Sequence, residues 1–373
     1  MDSNYNKEDW YHIQDLEQVD TPALVVYLDR VKSNIAQLIN SIDDVQRLRP
    51  HVKTHKTREG TRLMMEAGIR KFKCATIAEA EMLAQTGAPD VLLAYQPVGP
   101  KVQRLLSLAH VYPATKFSCL VDDGRAAQQL SESAVRENLQ VEVVVDINVG
   151  MNRTGVTPDI AYELYQQCLH LPGIRPVGLH VYDGHINEAD LAVRTSRCEA
   201  AFAPVEALKE RLVKAGVPAP LIIAGGSPTF PIYAKRKEVE CSPGTFIFWD
   251  AGYQQYSEQP FLPAALVLTR VISLPGDQLL CTDLGHKSIA PENPLNRRVV
   301  FLNAPELTAV GQSEEHLVLQ AGSPQGYPIG DVLYGLPVHI CPTCAQYERA
   351  LVVENGRING EWKIIARDRK LNT

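Results

Sequence analysis

The sequence predicts an α/β barrel followed by an antiparallel β domain, and three observations support this fold class. From about residue 21 to residue 244, short apolar strand patterns alternate with segments whose apolar residues recur at helical spacing. Repeated strand–helix units give parallel strands that are joined by helices. After Asp250 the apolar runs follow one another without helical patterns, and turns such as Asn355-Gly356 separate them, which is typical of antiparallel strands. Pro260 and Pro263 mark the boundary between the two patterns.

About eight strands can be counted in the first region, which favours a closed (β/α)8 barrel of the TIM type over an open, doubly wound sheet. The strand patterns lie at 23–28, 45–48, 72–75, 91–95, 117–121, 141–149, 177–182 and 221–224. The helical patterns lie at 30–42, 76–83, 101–108, 125–135, 158–168 and 191–215. In the second region, strands are predicted at 264–272, 278–281, 299–302, 316–319, 332–340, 350–353 and 362–365.

Composition and charge argue against several classes of function. The 373 residues include 37 basic and 43 acidic ones, which gives a net charge of -6, and no long basic run predicts binding to nucleic acid or to an anionic membrane. Residues 1–19 lack the apolar stretch of a signal peptide, and no later apolar run approaches the roughly 20 residues of a membrane span. The eight scattered cysteines are therefore expected to be reduced, and we predict a soluble, cytoplasmic protein.

Lys53 is the most informative residue of the chain. It lies in residues 49–56, RPHVKTHK, shortly after the predicted strand at 45–48. Neighbouring cations disfavour the ammonium form of a lysine, and an amine that is neutral near pH 7 can form a Schiff base with an aldehyde cofactor or a carbonyl substrate. A basic surface loop would have the same spacing, so these residues alone leave both interpretations open.

Other polar clusters follow later predicted strands, where the catalytic residues of a parallel barrel collect. They are Asn152-Arg153, the group His180, Tyr182, Asp183 and His185, and the two glycine sites Gly225-Gly226-Ser227 and Ser242-Pro243-Gly244-Thr245. Glycines let backbone N–H groups approach an oxyanion closely, and a hydroxyl adds a donor. The two glycine sites could therefore bind one phosphate, with tight strand-to-loop turns as the structural alternative.

The β domain contains a candidate metal site in residues 339–344, HICPTC. Residues two apart in an extended segment point to the same side, so His339 and Cys341 could bind one metal ion, and imidazole with thiolate suits zinc. Cys344 is expected to point away from such a site. Cys341 to Cys344 also spells C-x-x-C. A second C-x-x-C motif, which a zinc ribbon needs, is missing from the sequence, and so is the thioredoxin-like context of a redox motif. Buried cysteines beside a hydrogen-bonded histidine are the structural alternative.

In their order and spacing, these motifs resemble those of the fold-type III pyridoxal phosphate (PLP) enzymes of the D-threonine aldolase and D-serine dehydratase family, which are relatives of alanine racemase. The resemblance begins at Asp20-Thr21-Pro22 and covers nearly the whole chain. It implies three regions: an N-terminal segment, 1–20, that packs on the β domain; a PLP-binding, alanine racemase-like barrel, 21–255; and a D-serine dehydratase-like β domain with the metal site, 256–373.

The resemblance also implies a role for each matching residue. Lys53, rather than Lys56, would carry the Schiff base to PLP. Arg153 would hydrogen-bond the phenolic oxygen of the cofactor, and Tyr182 would reach the ring nitrogen or pack near it. The phosphate would be held by Gly225, Gly226, Ser227, Gly244 and Thr245, and a divalent metal next to the cofactor by His339 and Cys341. Such enzymes are typically homodimers in which the β domain of one chain completes the site of the other.

A lyase acting on D-3-hydroxy amino acids is the function that the resemblance implies. PLP withdraws electrons from the substrate Cα, and a metal at the β-hydroxyl either lowers its pKa, which leads to retro-aldol cleavage, or makes it a better leaving group, which leads to dehydration. Lys53 is the expected base for the Cα proton. The family's aldolases carry His-x-Asp where its dehydratases carry His-x-Cys, so Cys341 slightly favours dehydration, and it favours zinc over manganese or magnesium. A second acid or base could lie among Asp183, His185 and Glu188.

Three alternatives stay open at this point. An amino-acid racemase of the alanine racemase type would use a tyrosine opposite the lysine and would need no metal. A non-catalytic PLP-binding protein would need only the barrel, and residues 259–373 speak against it. A scaffold that has lost catalysis would show no cofactor absorbance and no change when Lys53 is replaced by alanine.

Overall fold

The computed structural model describes residues 10–322 and 326–373, and the chain divides into two compact units. We call the first the sheet unit; it comprises the described parts of Met1–Ala36, Thr54–Thr57 and Thr245–Arg367. We call the second the barrel unit; it comprises Gln37–Lys53, Arg58–Gly244 and Asp368–Thr373. Positions 1–9 of the predicted N-terminal segment lie outside the described residues.

Strands and helices follow the predicted alternation closely in most places. The strands are β1 (Ala23–Tyr27), β2 (Lys71–Cys74), β3 (Asp90–Leu93), β4 (Lys116–Val121), β5 (Val141–Ile147), β6 (Ile174–Val181), β7 (Leu221–Ala224), β8 (Val239–Cys241), β9 (Ala265–Gly276), β10 (Leu279–Thr282), β11 (Val299–Phe301), β12 (Thr308–Gln312), β13 (Leu317–Gln320), β14 (Val332–Pro337), β15 (Arg349–Glu354) and β16 (Arg357–Lys363). The helices are α1 (Leu28–Asn40), α2 (Arg58–Glu66), α3 (Ile77–Gln85), α4 (Pro100–Val111), α5 (Gly124–Arg136), α6 (Pro158–Leu169), α7 (Leu191–Lys214), α8 (Phe230–Tyr233) and α9 (Ile340–Cys344). None of the helices in the described ranges combines the length and the apolar character that crossing a bilayer requires.

The barrel unit is built on seven parallel strands in the order β2-β3-β4-β5-β6-β7-β8. Residues 48–51 join the two edges of this sheet, because Leu48 forms a parallel bridge with Cys241 of β8 and His51 forms one with Lys73 of β2. The predicted TIM-like architecture is therefore confirmed, with a short bridging segment in place of the eighth full strand. Inside the barrel, buried apolar side chains of the strands form a core cluster: Leu92, Leu120, Val144 and Ile223.

The strand predicted at 45–48 is wrong for its first three residues, which form the 3-10 helix Val45–Arg47. The Asp44 side chain caps this turn by accepting a hydrogen bond of 2.9 Å from the N–H of Gln46. Arg47 is buried, and its guanidinium donates to the carbonyl groups of Val239, Ala234 and Tyr233. Contacts with distant residues therefore decide the local conformation here, which apolar periodicity could not reveal.

A buried ion-pair cluster holds the bridging segment between strands of the barrel. Arg49 Nε lies 2.8 Å from Glu240 Oε2 of β8, and Arg49 Nη1 lies 2.5 Å from Asp90 Oδ1 of β3. The Arg49 side chain is only 4% exposed. Because a guanidinium can satisfy two carboxylates in fixed directions, these bonds fix the path of the chain just before Lys53.

The sheet unit contains strands in the order β12-β13-β10-β9-β1-β15-β16, and β14 pairs with both β9 and β11. Its pairs are antiparallel except for the parallel pair of β1 and β15. The sequence pattern placed residues 23–28 at the beginning of the barrel alternation, but the structure pairs β1 with β9 and β15 of this sheet. An apolar run that is buried throughout carries no information about which sheet it joins.

Aromatic side chains of residues 10–20 pack on the sheet unit. Tyr11, Ile13 and Val19 belong to a buried cluster that includes Tyr27 of β1 and Tyr334 of β14. The Tyr27 hydroxyl donates to the carbonyl of Tyr11 at 2.5 Å. This segment thus covers apolar surface of the strands.

Replacing Asn34 is expected to destabilise the sheet unit. Asn34 is fully buried in α1, its Nδ2 donates to the carbonyls of Leu262 (2.8 Å) and Ile247 (3.3 Å), and its Oδ1 accepts from the N–H of Leu262 (2.8 Å). Asn34→Ala removes these three hydrogen bonds from a buried side chain and should lower the free energy of unfolding by about 2–4 kcal/mol. Urea denaturation measures this change; Asn40→Ala, at the exposed end of the same helix, is the control and should cost under about 1 kcal/mol.

Candidate active site

The barrel unit gathers three cationic side chains around Tyr182, which directly follows β6. Lys53 Nζ lies 5.8 Å from the centroid of the Tyr182 ring, Lys73 Nζ lies 5.7 Å from it, and Arg153 Cζ lies 5.0 Å from it. Lys53 follows the bridging segment, and Arg153 follows β5. Lys53, Arg153 and Tyr182, which were predicted at separate strand ends, therefore lie together, because the carboxyl ends of parallel strands meet at one end of a barrel.

Lys73 is a member of this cluster that the sequence interpretation missed. It lies on β2, is only 2% exposed, and has its Nζ 3.4 Å from His180 Nε2. Burial lowers the pKa of Lys73 to about 7, and the nearby Lys53 cation contributes to the decrease. One signal was present: the strand KFKC belongs to a parallel sheet, whose strands are buried on both faces, so a lysine within it needs an interior partner.

His180 and Asp146 continue the polar contacts of Lys73 into the barrel. His180 Nδ1 lies 2.7 Å from Asp146 Oδ1, and Thr154 Oγ1 donates to Asp146 Oδ2 at 2.8 Å. Burial and the Lys73 cation lower the pKa of His180. Burial alone would raise the pKa of Asp146, but His180 and Thr154 lower it below its ordinary value. Asp146 is therefore a carboxylate near neutral pH, and the sequence interpretation had given it no role.

The glycine loop after β7 lies against the Tyr182 ring. Gly225 has φ +72°, and a Cβ at this position would lie 2.7 Å from a ring carbon of Tyr233 and 2.8 Å from Thr229 Oγ1. A Cβ on Gly226 would lie 3.2 Å from a ring carbon of Tyr182. Only glycine combines this backbone conformation with so close an approach.

Hydrogen bonds within the barrel unit already use the N–H groups of the predicted phosphate glycines. Gly225 N donates to the carbonyl of Val181 (2.9 Å), and Gly226 N donates to Thr229 Oγ1 (3.2 Å). Gly244 N donates to Ser227 Oγ at 3.2 Å, which joins the two predicted glycine sites. Phosphate binding through these three N–H groups would require an exchange of these bonds.

In the sheet unit, the candidate metal residues lie in a second polar cluster. His339 Nδ1 lies 2.5 Å from Glu292 Oε1, and Cys341 Sγ lies 3.0 Å from Thr54 Oγ1 and 3.8 Å from Oγ1 of the buried Thr245. Burial opposes protonation of His339, but hydrogen bonds with Cys341 and Glu292 raise its pKa to about 9. Across residues 10–322 and 326–373, no group of three or more His, Cys, Asp or Glu side chains is arranged to hold a metal ion.

An additional carboxyl group, Asp250, lies beside this segment. Its Oδ2 accepts a hydrogen bond of 2.9 Å from the N–H of Ile340, the first residue of α9. Burial raises the pKa of Asp250 to about 7, although this hydrogen bond and the charge of His339 oppose the increase. The sequence interpretation used Asp250 only as a boundary and had not connected it with His339.

The extended conformation predicted for 339–344 is wrong beyond His339, because Ile340–Cys344 forms helix α9. Pro342 lies in the first turn, where a missing N–H costs nothing, and Thr343 Oγ1 donates to the carbonyl of His339 at 2.9 Å. The expectation that Cys344 points away from the site assumed an extended chain. In a helix, residues three apart share a face, so this expectation loses its basis. Cys344 is fully buried, and burial raises the pKa of its thiol well above the ordinary value.

The loop after Tyr182 uses its acidic residues in packing contacts. Asp183 accepts from Thr229 Oγ1 (2.9 Å) and from Cys198 Sγ (3.6 Å), and burial raises its pKa. Glu188 forms an ion pair with Arg197. These partners place Asp183 behind the glycine loop, since Thr229 also accepts from Gly226.

Comparison with known proteins decides the family. Residues 26–251 match the family described as alanine racemase, N-terminal domain, and residues 264–353 match the putative serine dehydratase domain. The chain belongs to the alanine racemase N-terminal domain family. The predicted resemblance to the fold-type III PLP enzymes of this group is thereby confirmed, as is the prediction of an enzyme in a PLP-dependent lyase family.

Similar proteins with known activities include both aldolases and a dehydratase. The chain is 29% identical to the D-threonine aldolase of Arthrobacter sp. over 94% of each chain. It is 28% identical to the D-threo-3-hydroxyaspartate dehydratase of Delftia sp. (strain HT23), over 88% of this chain and 93% of the relative. The crystal structure of D-threonine aldolase from Filomicrobium marinum superimposes with a TM-score of 0.86 and 28% identity, over 94% of this chain and 96% of that one.

The residues of each unit fit the group that the family implies for it. In the barrel unit, an amine, a guanidinium and a glycine loop converge on the Tyr182 ring, which suits an aromatic aldehyde with an anionic phosphate. In the sheet unit, the His339 imidazole and the Cys341 sulfur, with the Glu292 carboxylate at the imidazole Nδ1, are the donor types and the supporting contact that zinc prefers.

Replacing Gly225 is expected to damage the glycine loop. Gly225→Ala adds a Cβ that clashes with Tyr233 and Thr229 in a left-handed backbone conformation, and we expect a loss of about 2–4 kcal/mol in the free energy of unfolding. Gly216→Ala is the matched control, because Gly216 has φ +86° but no atom within 4 Å of the added Cβ; it should cost only about 1 kcal/mol. Equal losses in the two variants, measured by urea denaturation, would show that the close packing of the loop is unimportant.

Proposed function

We propose that this protein is a PLP- and divalent-metal-dependent lyase that acts on D-3-hydroxy amino acids, with dehydration favoured over retro-aldol cleavage. The observation that carries the proposal is the convergence of the Lys53 amine and the Arg153 guanidinium on the Tyr182 ring. The substrate class is supported by the relatives, which are named for D-threonine and for D-threo-3-hydroxyaspartate. The proposal includes a homodimer and a cytoplasmic location.

In the barrel unit, bound PLP would withdraw electrons from the Cα of the substrate, so that a bond to this carbon can break. Lys53 Nζ would attach the cofactor and, once the substrate is bound, take the proton from Cα. Arg153 would donate to the phenolic oxygen, and Tyr182, whose ring lies near the side chains of Lys53 and Arg153, would reach the ring nitrogen of the cofactor or pack near it. The hydroxyl of Ser227 and the loop at Gly225, Gly226 and Gly244 would bind the phosphate.

In the sheet unit, His339 and Cys341 would hold a divalent metal, with zinc favoured and manganese or magnesium possible, which would act as a Lewis acid on the β-hydroxyl of the substrate. Glu292 lies on the Nδ1 side of His339, which leaves Nε2 for the metal. A carboxylate on the other nitrogen of a ligating histidine orients the ring and raises its basicity. Thr54 lies 3.0 Å from Cys341 Sγ and would fix the position of the sulfur.

The preference for dehydration is supported by the thiolate at position 341. A soft ligand favours zinc over harder cations, and a strongly Lewis-acidic metal helps a hydroxyl group to leave. The relatives leave this choice open, because an aldolase and a dehydratase match the chain at 29% and 28% identity.

The proposal predicts specific products. Purified protein supplied with PLP and zinc should convert D-serine or D-threonine into pyruvate or 2-oxobutyrate and ammonia, which enzymatic assays detect. Lys53→Ala should lower kcat by at least about 1,000-fold, because the base for the Cα proton and the attachment point of PLP are lost together. The control Lys101→Ala, at an exposed lysine, should match the wild type.

Borohydride reduction of the PLP-loaded protein should label Lys53 and leave Lys56 unlabelled. Glycine and an aldehyde as products would instead establish retro-aldol cleavage, and racemised substrate without cleavage would establish the alternative racemase function.

The metal residues give a separate prediction. His339→Ala and Cys341→Ala should each reduce bound zinc, measured by elemental analysis, from about one ion per chain to a small fraction, and should reduce turnover in parallel. Cys168→Ala, which removes a buried thiol of the barrel unit, is the control and should keep its zinc. Full turnover in metal-depleted protein would contradict the metal-dependent mechanism and favour racemisation.

A further inference from the structure

The function proposed above gives Lys73 no role. Its side chain is nevertheless almost completely buried in the barrel unit, close to the Tyr182 ring of the candidate cofactor site. Burying an ammonium group is costly unless it gains compensating partners. Lys73 Nζ has a contact of 3.4 Å with His180 Nε2, which is long for a hydrogen bond. A methionine or leucine would fill the same space at lower cost, so this lysine requires a functional explanation.

A series of hydrogen bonds fixes the position of this amine. Thr154 Oγ1 donates to Asp146, Asp146 accepts from His180 Nδ1, and His180 Nε2 faces Lys73 Nζ. Because Asp146 lies 2.7 Å from Nδ1, the neutral imidazole carries its proton on Nδ1 and offers Nε2 as an acceptor. Lys73 can therefore donate to His180 in either of its own protonation states.

Charges of both signs act on Lys73. The cations that act on it are Lys53 and Arg49, and the carboxylates that act on it are Asp146 on β5 and Asp183 after β6. His180 on β6 faces it directly, and Arg153 is the third cation beside the Tyr182 ring. Burial, which disfavours the ammonium form, and the Lys53 cation together lower the pKa of Lys73 to about 7. Arg153, by contrast, stays charged at every pH near neutrality.

We propose that Lys73 is a positioning residue of the cofactor site, whose ammonium group, held by His180 and Asp146, supplies a positive charge beside Lys53 that can be withdrawn by deprotonation. The inference rests on the proposed function, because the charge acts on the anionic groups of PLP. Lys73 Nζ and Lys53 Nζ lie at nearly equal distances, 5.7 and 5.8 Å, from the same ring. A unit charge close to an anion in a partly buried site changes a binding constant by roughly tenfold.

Binding of PLP to the cofactor-free protein at pH 6.0 and pH 8.5 tests this role. Three variants are compared with the wild type by visible absorbance: Lys73→Met, which has no charge, Lys73→Arg, which stays charged, and Lys101→Met as the control. Lys101 is an exposed lysine whose Nζ lies 4.7 Å from the ring centroid of Tyr95. The comparison between variants at each pH cancels the ionisation of PLP itself.

The expected result is a crossover between the two variants. At pH 6.0 the wild type should bind PLP like Lys73→Arg and roughly tenfold more tightly than Lys73→Met. At pH 8.5 it should bind like Lys73→Met and roughly tenfold more weakly than Lys73→Arg. Lys101→Met should match the wild type at both values. A constant ratio between the wild type and Lys73→Met at the two pH values would overturn the inference.

Thermal stability gives a second measurement if Lys73→Arg does not fold. The pKa of Lys73 is lower in the folded protein than in the unfolded chain, so its destabilising effect is full below pH 7 and disappears as the pH rises towards the unfolded value of about 10.5. Lys73→Met should therefore raise the melting temperature of the cofactor-free protein at pH 6 more than at pH 9. An equal change at both values would show that Lys73 does not titrate between them and would contradict the proposal.

The failure of this inference can be distinguished from failure of the proposed function. If the wild type binds no PLP, or if Lys53→Ala keeps the visible absorbance band, the function itself is wrong. If Lys53→Ala removes the band while Lys73→Met follows the wild type at both pH values, only the role of Lys73 is wrong.

Discussion

The buried contacts of Arg49 are the constraint on which the candidate cofactor site depends. Its guanidinium binds Asp90 of β3 and Glu240 of β8 at once, and these strands lie near opposite edges of the seven-stranded sheet. The segment that carries Arg49 joins those edges through the bridges at Leu48 and His51. Lys53 lies two residues beyond the second bridge, so the same bonds that join the edges bring its amine to Tyr182. A buried guanidinium with two carboxylates adds little net stability, but it specifies one path for the chain.

The barrel interior divides into an apolar layer and a polar layer. Leu92, Leu120, Val144 and Ile223 form the apolar layer. Asp146, further along β5, binds His180 of β6, and His180 faces Lys73. Such polar groups are tolerated inside a parallel barrel because each finds a partner on another strand. The division explains why the candidate site lies at the carboxyl ends of the strands, where the apolar packing gives way to paired charges.

In the candidate metal segment, the local geometry predicted from the sequence is wrong, although the residue types are those predicted. His339 is extended, but the next five residues form α9. The Asp250 carboxylate accepts a hydrogen bond from the N–H of Ile340, the first residue of this helix. The carboxyl group that fixes this helix lies 90 positions earlier in the chain. The residue types still suit a zinc site, because donor chemistry depends on the side chains, whereas their orientation depends on this distant contact.

The sequence by itself determined the features that depend on local pattern: the strand–helix alternation, the change to a β domain after Asp250, and the family to which the motifs at Lys53, Arg153 and Tyr182 belong. Only the tertiary structure decided that β1 pairs with β9 and β15, that Val45–Arg47 is a 3-10 helix, and that Lys73, His180 and Asp146 meet. The physical reason is that periodicity reports which faces of an element are buried, but not which element covers them. The partners of a buried charge come from other strands, so they become visible only once the chain has folded.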